Sequence, residues 1–185
     1  MIYFTSDTHF GHKNIIKYCQ RPFKTVEEMD EEIIERINAM VRPQDELWHL
    51  GDFAFHSKTN SIEGYLGKIK CKVNIVFGSH DKEAIKKKHL FNSAFHGIKR
   101  ITIEGQKIVL CHCALLTWEC RHYGAVHLFG HSHTSPVKRF RCQQGSVDVG
   151  VDNCGFFPIP LNEAIARAQE TDGKLTCHDL YDEDF

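Results

Sequence analysis

The sequence predicts an α/β layered fold in which two sheets face each other. Three observations carry that expectation: six short apolar runs of strand length, an amphipathic helix between the first two, and a drift from alternating strands and helices to mainly strands. The first run, IYFTS at 2–6, has the β-branched and aromatic content that suits a pleated surface. The helix comes next. Thr25 can cap it, with Glu28 at capping-box spacing; Met29, Ile33, Ile34, Ile37, Met40 and Val41 form one apolar face, and Pro43 ends it. ELWHL at 46–50 and VNIVF at 73–77 read as the next strands, with weaker helical patterns at 61–69 and 82–89. KIVLC at 107–111, AVHLF at 125–129 and SVDVG at 146–150 complete the strands, and a last helical pattern covers 161–169. With no linker, repeat or low-complexity segment, one domain over 1–185 is expected.

Composition narrows the function classes. Hydrophobic residues at 42% and charged residues at 25% are those of a globular chain, not a disordered one. A net charge of -1 supplies no whole-molecule attraction to nucleic acid or to an anionic membrane, and KKK at 86–88 reads as a solvated helix face. No segment reaches the roughly 18 apolar residues of a membrane span, and MIYFTSDTHFGHK has no basic leader, so a cytosolic protein is expected. The 8 cysteines are scattered without C-x-x-C spacing and are expected to be reduced packing thiols. In CHC at 111–113, strand alternation would set Cys111 and Cys113 on the face opposite His112, which argues against a Cys/His zinc site there. The unusual feature is the 13 histidines.

Their positions matter more than their number. Asp7-Thr8-His9 follows the first strand, Gly51-Asp52 the second and Gly78-Ser79-His80-Asp81 the third; His112 follows KIVLC and Gly130-His131-Ser132-His133 follows AVHLF. Ligands in α/β sheets gather beyond the carboxyl ends of strands, so these loops could converge on one crevice. Alone, DTH and GD are common turns and His112 a satisfied core histidine. Together they supply Asp7, His9, Asp52, His112, His131 and His133, too many for one tetrahedral ion. Carboxylate oxygen with neutral imidazole suits divalent manganese, iron, zinc or nickel, and two ions bridged by a carboxylate can clamp both oxygens of a phosphoryl displacement.

The ordered set D-x-H, GD, G-N-H-D/E, H and G-H-x-H resembles the signature of the calcineurin-like metallophosphoesterase superfamily from Asp7 to His133, and DTHFGHKNII with QRPF is most similar to its small bacterial and phage members. The resemblance implies a four-layered αββα sandwich of two facing mixed β-sheets with a binuclear centre at one edge. Asp7, His9 and His133 would hold one ion, Asp52 would bridge, and His112 and His131 would hold the second together with the position of Ser79. The family normally has Asn there, and a serine hydroxyl, shorter and a poorer donor, predicts a weaker or water-completed second site. Manganese is the first expectation for the two ions, with iron, nickel or zinc as alternatives.

The implied chemistry is in-line attack by a metal-bridging hydroxide, with His80 protonating or hydrogen-bonding the leaving oxygen and Asp81 fixing its tautomer. His12 and Arg21 are candidate substrate contacts, Lys13 and Asn14 weaker ones, and Arg121 and His122 fall in a segment that could roof the crevice. His49, His56, His89, His96, His127 and His178 have no motif company and read as structural or exposed. The expected function is a metal-dependent phosphodiesterase or phosphatase acting on a small phosphoester, nucleotides among the candidates. Two alternatives stay open. A nuclease lacks support from any basic stripe or stacking platform. A binding or scaffold protein with weakened chemistry is favoured by Ser79 and opposed by the retention of His80 and six ligand side chains.

Overall fold

The computed structural model describes residues 1–55, 61–133 and 143–171. His56, His178, Cys142 and Cys177 therefore lie outside the described residues. In chain order the strands are β1 (Ile2–Thr5), β2 (Glu46–His49), β3 (Lys72–Val76), β4 (Ser93–Phe95), β5 (Lys99–Ile103), β6 (Gln106–Leu110), β7 (Val126–Phe129), β8 (Ser146–Asp148) and β9 (Ile159–Pro160). The α-helices are α1 (Lys13–Tyr18), α2 (Val26–Met40), α3 (Ile62–Lys68), α4 (Lys82–Lys86) and α5 (Leu161–Glu170).

The six strands and four helices expected from the sequence form, and β4, β5, β9 and α1 are additions. β4 and β9 are three and two residues long. β5 reads KRITI on a sheet edge and has no fully buried residue, too weak a pattern beside the buried runs. α2 is capped as expected, with Thr25 Oγ1 accepting from the Glu28 amide at 3.2 Å. The return contact differs, because the Glu28 carboxylate accepts from the Lys24 amide at 2.7 Å. Val41, extended at φ -103°, ends the helix two residues before Pro43, whose ring disfavours helical backbone at Arg42.

Two mixed sheets result. The first has order β4-β3-β2-β1-β9, parallel except for β9, and the second has order β5-β6-β7-β8, parallel except for β5. Because side chains alternate along a strand, Tyr3, Leu47, Val73 and Ile75 pack beneath α2 with Met29, Ile33 and Ile37, whereas Phe4, Trp48, Leu50 and Val76 face Ile108, Leu110, Val126, Leu128 and Val147 of the second sheet. α5 sends Ala164 and Ala168 into this second core. Two facing mixed sheets flanked by helices are thus the architecture, as expected. Full burial of side chains such as Phe4, Leu50 and Leu128 contributes about 1.5–3 kcal/mol each.

Strand direction gathers the polar loops. β1, β2 and β3 run the same way, as do β6 and β7, so their carboxyl ends deliver loops to one side of each sheet. A bridge between Ser6 and Gly150 and the bond from the Val151 amide to the Ser6 carbonyl tie the loop after β8 to the loop after β1. Asp7, His9 and Phe10 amides donate to the carbonyls of Gly51, Asp52 and Phe53, each at 3.0 Å, which locks the first two loops in register.

Candidate metal centre

Five residues of this loop cluster hold left-handed backbone: Asp7 (φ 60°), His9 (φ 49°), Asp52 (φ 55°), His131 (φ 73°) and His133 (φ 38°). Non-glycine residues rarely adopt this region, and it costs of order 1 kcal/mol or more each. Nine such residues occur among those described, so over half of the strained backbone falls on five predicted ligands. Asp7, His9 and Asp52 are also buried, so this backbone accompanies side chains held inside the cluster. Glycine makes room for them: a Cβ on Gly130 would sit 2.3 Å from Asp7 Oδ2, and one on Gly78 would sit 2.4 Å from Asp52 Oδ1.

The cluster has two halves. In one, His9 Nε2 and His133 Nε2 are 3.0 Å apart, with Asp7 Oδ1 3.8 Å from the latter. In the other, His112 Nε2 and His131 Nδ1 are 3.1 Å apart. Asp52 Oδ2 sits between them, 3.6 Å from His9 Nε2 and 3.3 Å from His112 Nε2. Asp7, His9 and His133 form one group whose ligand atoms lie within 4.8 Å of one another, and Asp7, Asp52 and His112 form another.

Tautomers fit cation binding. His112 Nδ1 lies 2.8 Å from the Leu50 carbonyl, which can only accept, so Nδ1 carries the proton and Nε2 offers its lone pair to the cluster. His133 Nδ1 lies 2.8 Å from Asp152 Oδ2, the carboxylate-histidine pairing that aims Nε2 at a metal. Buried Asp7 Oδ1 has no hydrogen-bond partner, an orphaned acceptor whose desolvation a cation would offset. The donor set and this orphan fit the divalent ions expected from the sequence.

Electrostatics point the same way. Burial pushes the Asp7 carboxyl up to about 7 despite His133 and His112 nearby. Asp52 is also buried, which raises it, but the His112 hydrogen bond and charge with the His80 amide hold it well below the carboxylate range. Burial lowers His112 and His133, yet Asp52 and Asp7 lift the first to about 8, and Asp152 lifts the second to about 10. Histidines and carboxylates here compete for protons that divalent cations would displace.

Other predicted residues fall in varied places. His80 is exposed, its ring centroid 5.6 Å from that of His9, and its amide donates to Asp52 Oδ1 at 2.8 Å. Ser79 is exposed, with its hydroxyl 3.4 Å from Asp52 Oδ2. His12 caps the start of α1, its ring 5.7 Å from His9 and 4.4 Å from Phe55; Lys13 and Asn14 are exposed on the first turn.

Three expectations change. Asp81 does not orient the His80 ring: its buried carboxylate accepts from the amides of Asp52 (2.8 Å), Phe53 (2.8 Å) and Gly78 (2.7 Å), which pins the second and third loops together. Arg21 does not reach toward substrate. Its buried guanidinium donates to both Asp152 oxygens at 2.8 Å and to the carbonyls of Thr8 (3.0 Å) and Asp7 (2.7 Å), leaving no face for an anion. Cys113 does not turn away from His112; the chain bends beyond β6, alternation lapses, and the ligand atoms of His112, Cys113 and His131 lie within 4.8 Å of one another.

Arg121 and His122 line a cavity of about 600 Å³ with Thr117, Gly124, Gln144 and Gln169, which includes none of the predicted ligands. His49 and His127 are buried and structural as expected, the first bonded to Thr8 and the second to the Val109 carbonyl and Leu115 amide. Asp152 is the residue sequence reasoning missed. It stands in a short turn after β8 with no motif around it, and its pairing with Arg21 spans 131 residues.

Known proteins resemble this chain over most of its length. A family model described as the calcineurin-like phosphoesterase superfamily domain matches residues 1–151. The uncharacterized protein MJ1445 of Methanocaldococcus jannaschii is 30% identical over 97% of this chain and 97% of its own. Gene 66 protein of Mycobacterium phage L5 is 23% identical over 83% of this chain and 87% of its own. Among solved structures, the protein of unknown function AQ665 from Aquifex aeolicus superposes with a TM-score of 0.70 at 26% identity, covering 88% of this chain and 96% of that one.

Proposed function

The chain belongs to the calcineurin-like phosphoesterase superfamily, and on that footing we propose that it is a metal-dependent hydrolase of small phosphodiesters or phosphomonoesters, with residues 1–185 acting as one domain. The observation that carries the reading is the convergence of Asp7, Asp52 and four histidines from four loops into neighbouring groups that share the Asp7 carboxylate. Asp7, His9 and His133 would hold one divalent ion, His112 and His131 with Ser79 the other, and Asp52 would bridge. Manganese is the first candidate, iron, nickel and zinc the others. When bound, such a pair supplies a nucleophile from water at neutral pH and neutralises charge on the phosphoryl oxygens.

The protein's own groups do the rest. His80, exposed beside the His9 ring and fixed through its amide, is positioned to donate a proton to the leaving oxygen. Asp81 contributes by holding the His80 loop against the Asp52 loop. Asp152 and Arg21 keep His133 Nε2 and the Asp7 backbone aimed at the cluster. Tyr18 and Phe55 are 68% and 45% exposed with their rings against His12, so aromatic surface lies near the centre, and this supports a substrate with a ring or nucleobase. No described helix is long and apolar enough to cross a membrane.

A chromogenic phosphodiester and monoester, assayed with manganese, nickel, magnesium and zinc, test the reading, and turnover with at least one metal is expected. Plasmid and oligonucleotide should survive the same incubation; their cleavage would make the protein a nuclease. Silence with every metal, for the native chain and for Ser79→Asn alike, would leave a binding protein that retains the fold.

A further inference from the structure

Among the described residues, two cysteines group with the cluster, one on each half. Cys19 groups with His133 and Asp152, but both Asp152 oxygens are already engaged by Arg21 and His133, so that trio has a weaker claim on an ion. Cys113 differs. It follows His112 directly, its sulfur lies within 4.8 Å of the ligand nitrogens of His112 and His131, and it is exposed on the solvent side of buried His112. His112 Nδ1 is committed to the Leu50 carbonyl, so Nε2 is the nitrogen of His112 left to share an ion with the sulfur. Ser79 brings only a neutral hydroxyl, and that hydroxyl is turned to Asp52 at 3.4 Å.

We infer that Cys113, in place of the Ser79 hydroxyl, is a thiolate ligand of the second ion, completing a set of His112, His131, Cys113 and the shared Asp52 carboxylate. The inference deepens the hydrolase reading and depends on it for the presence of an ion. On binding, the Cys113 S–H bond breaks, the proton leaves to solvent, and the sulfur donates its electron pair to the cation. Thiolate and imidazole together favour zinc or iron over manganese, so this half of the centre selects a softer ion than the Asp7, His9 and His133 half. The two positions would hold different metals.

Cobalt(II) reports on this directly, because sulfur-to-cobalt charge transfer absorbs in the near ultraviolet while d–d bands in the visible count bound cobalt whatever its ligands. Titration of the metal-free protein should give both signatures. Cys113→Ser should lose the charge-transfer band while Cys19→Ser keeps it, and the zinc-to-manganese affinity ratio of Cys113→Ser should fall by about tenfold or more, since outer partners alone are worth about 10–100-fold. Visible bands without charge transfer, or a band that survives Cys113→Ser, would overturn the inference and leave the hydrolase reading standing. Absence of any cobalt spectrum would overturn both. Cys113 is exposed, so circular dichroism of Cys113→Ser should match the native chain; a collapsed fold there would contradict the surface position on which the inference stands.

Discussion

Asp152→Asn removes one charge and almost no volume, and the structure says it should be among the most damaging single changes in the chain. Asp152 accepts from Arg21 Nε and Nη2 at 2.8 Å each and from His133 Nδ1 at 2.8 Å, while the Arg21 side chain is 0% exposed. Asparagine would keep one acceptor and turn an amide donor on the guanidinium or the imidazole. Breaking a buried pair by removing one partner costs about 3–5 kcal/mol, because the other charge stays buried and uncompensated. Native stability is only about 5–15 kcal/mol, so the loss should shift urea unfolding of the metal-free protein far to the left.

Manganese affinity should fall about 10–100-fold as His133 loses its orienting carboxylate. The double change Arg21→Met with Asp152→Asn should cost at least about 1 kcal/mol less than the two singles summed, since it removes the stranded charge. Loss of under about 1 kcal/mol for the single variant, or additivity within about 0.5 kcal/mol, would refute the reasoning.

Other residues give three more expected outcomes. Burial pushes Asp30 from 3.8 to about 6, against hydrogen bonds from the Tyr65 hydroxyl and Gly11 amide; the folded form keeps a proton the unfolded chain has lost, so this group's contribution falls by about 3 kcal/mol as pH rises from about 4 to about 6. Asp30→Asn should flatten that part of the stability-pH curve, and parallel curves for the two proteins would refute the assignment. Gly130→Ala would drive a Cβ to 2.1 Å from Ser6 Oγ and 2.3 Å from Asp7 Oδ2, costing about 1–3 kcal/mol and displacing Asp7; calorimetry should read both a lower Tm and weaker metal binding. His80→Asn should lower kcat by about 10²–10⁴-fold on an ester with an alkoxide leaving group and much less with nitrophenolate, at unchanged manganese affinity; equal losses on both substrates would remove His80 as the acid.

The buried strands, the longer helices and most of the residues worth watching are written in the amino-acid order alone. Apolar runs set β1, β2, β3, β6, β7 and β8, the Thr25 cap and Pro43 bounded α2, and four polar clusters at strand ends marked Asp7, His9, Asp52, His112, His131 and His133. These are local signals, carried by neighbours within a few residues. Where each side chain turns emerges only once the chain is packed. Arg21 and Asp152 are 131 residues apart and meet only because the turn after β8 lies over the turn after β1. Asp81 looks like a partner for His80 in sequence but is taken by three amides of converging loops. Cys113 should face away from His112 on a straight strand, yet the bend beyond Leu110 brings both to the same place. Hydrophobic periodicity encodes elements because burial acts on each stretch separately; orientation at a crevice depends on backbone strain and hydrogen bonds between segments, which no single stretch contains.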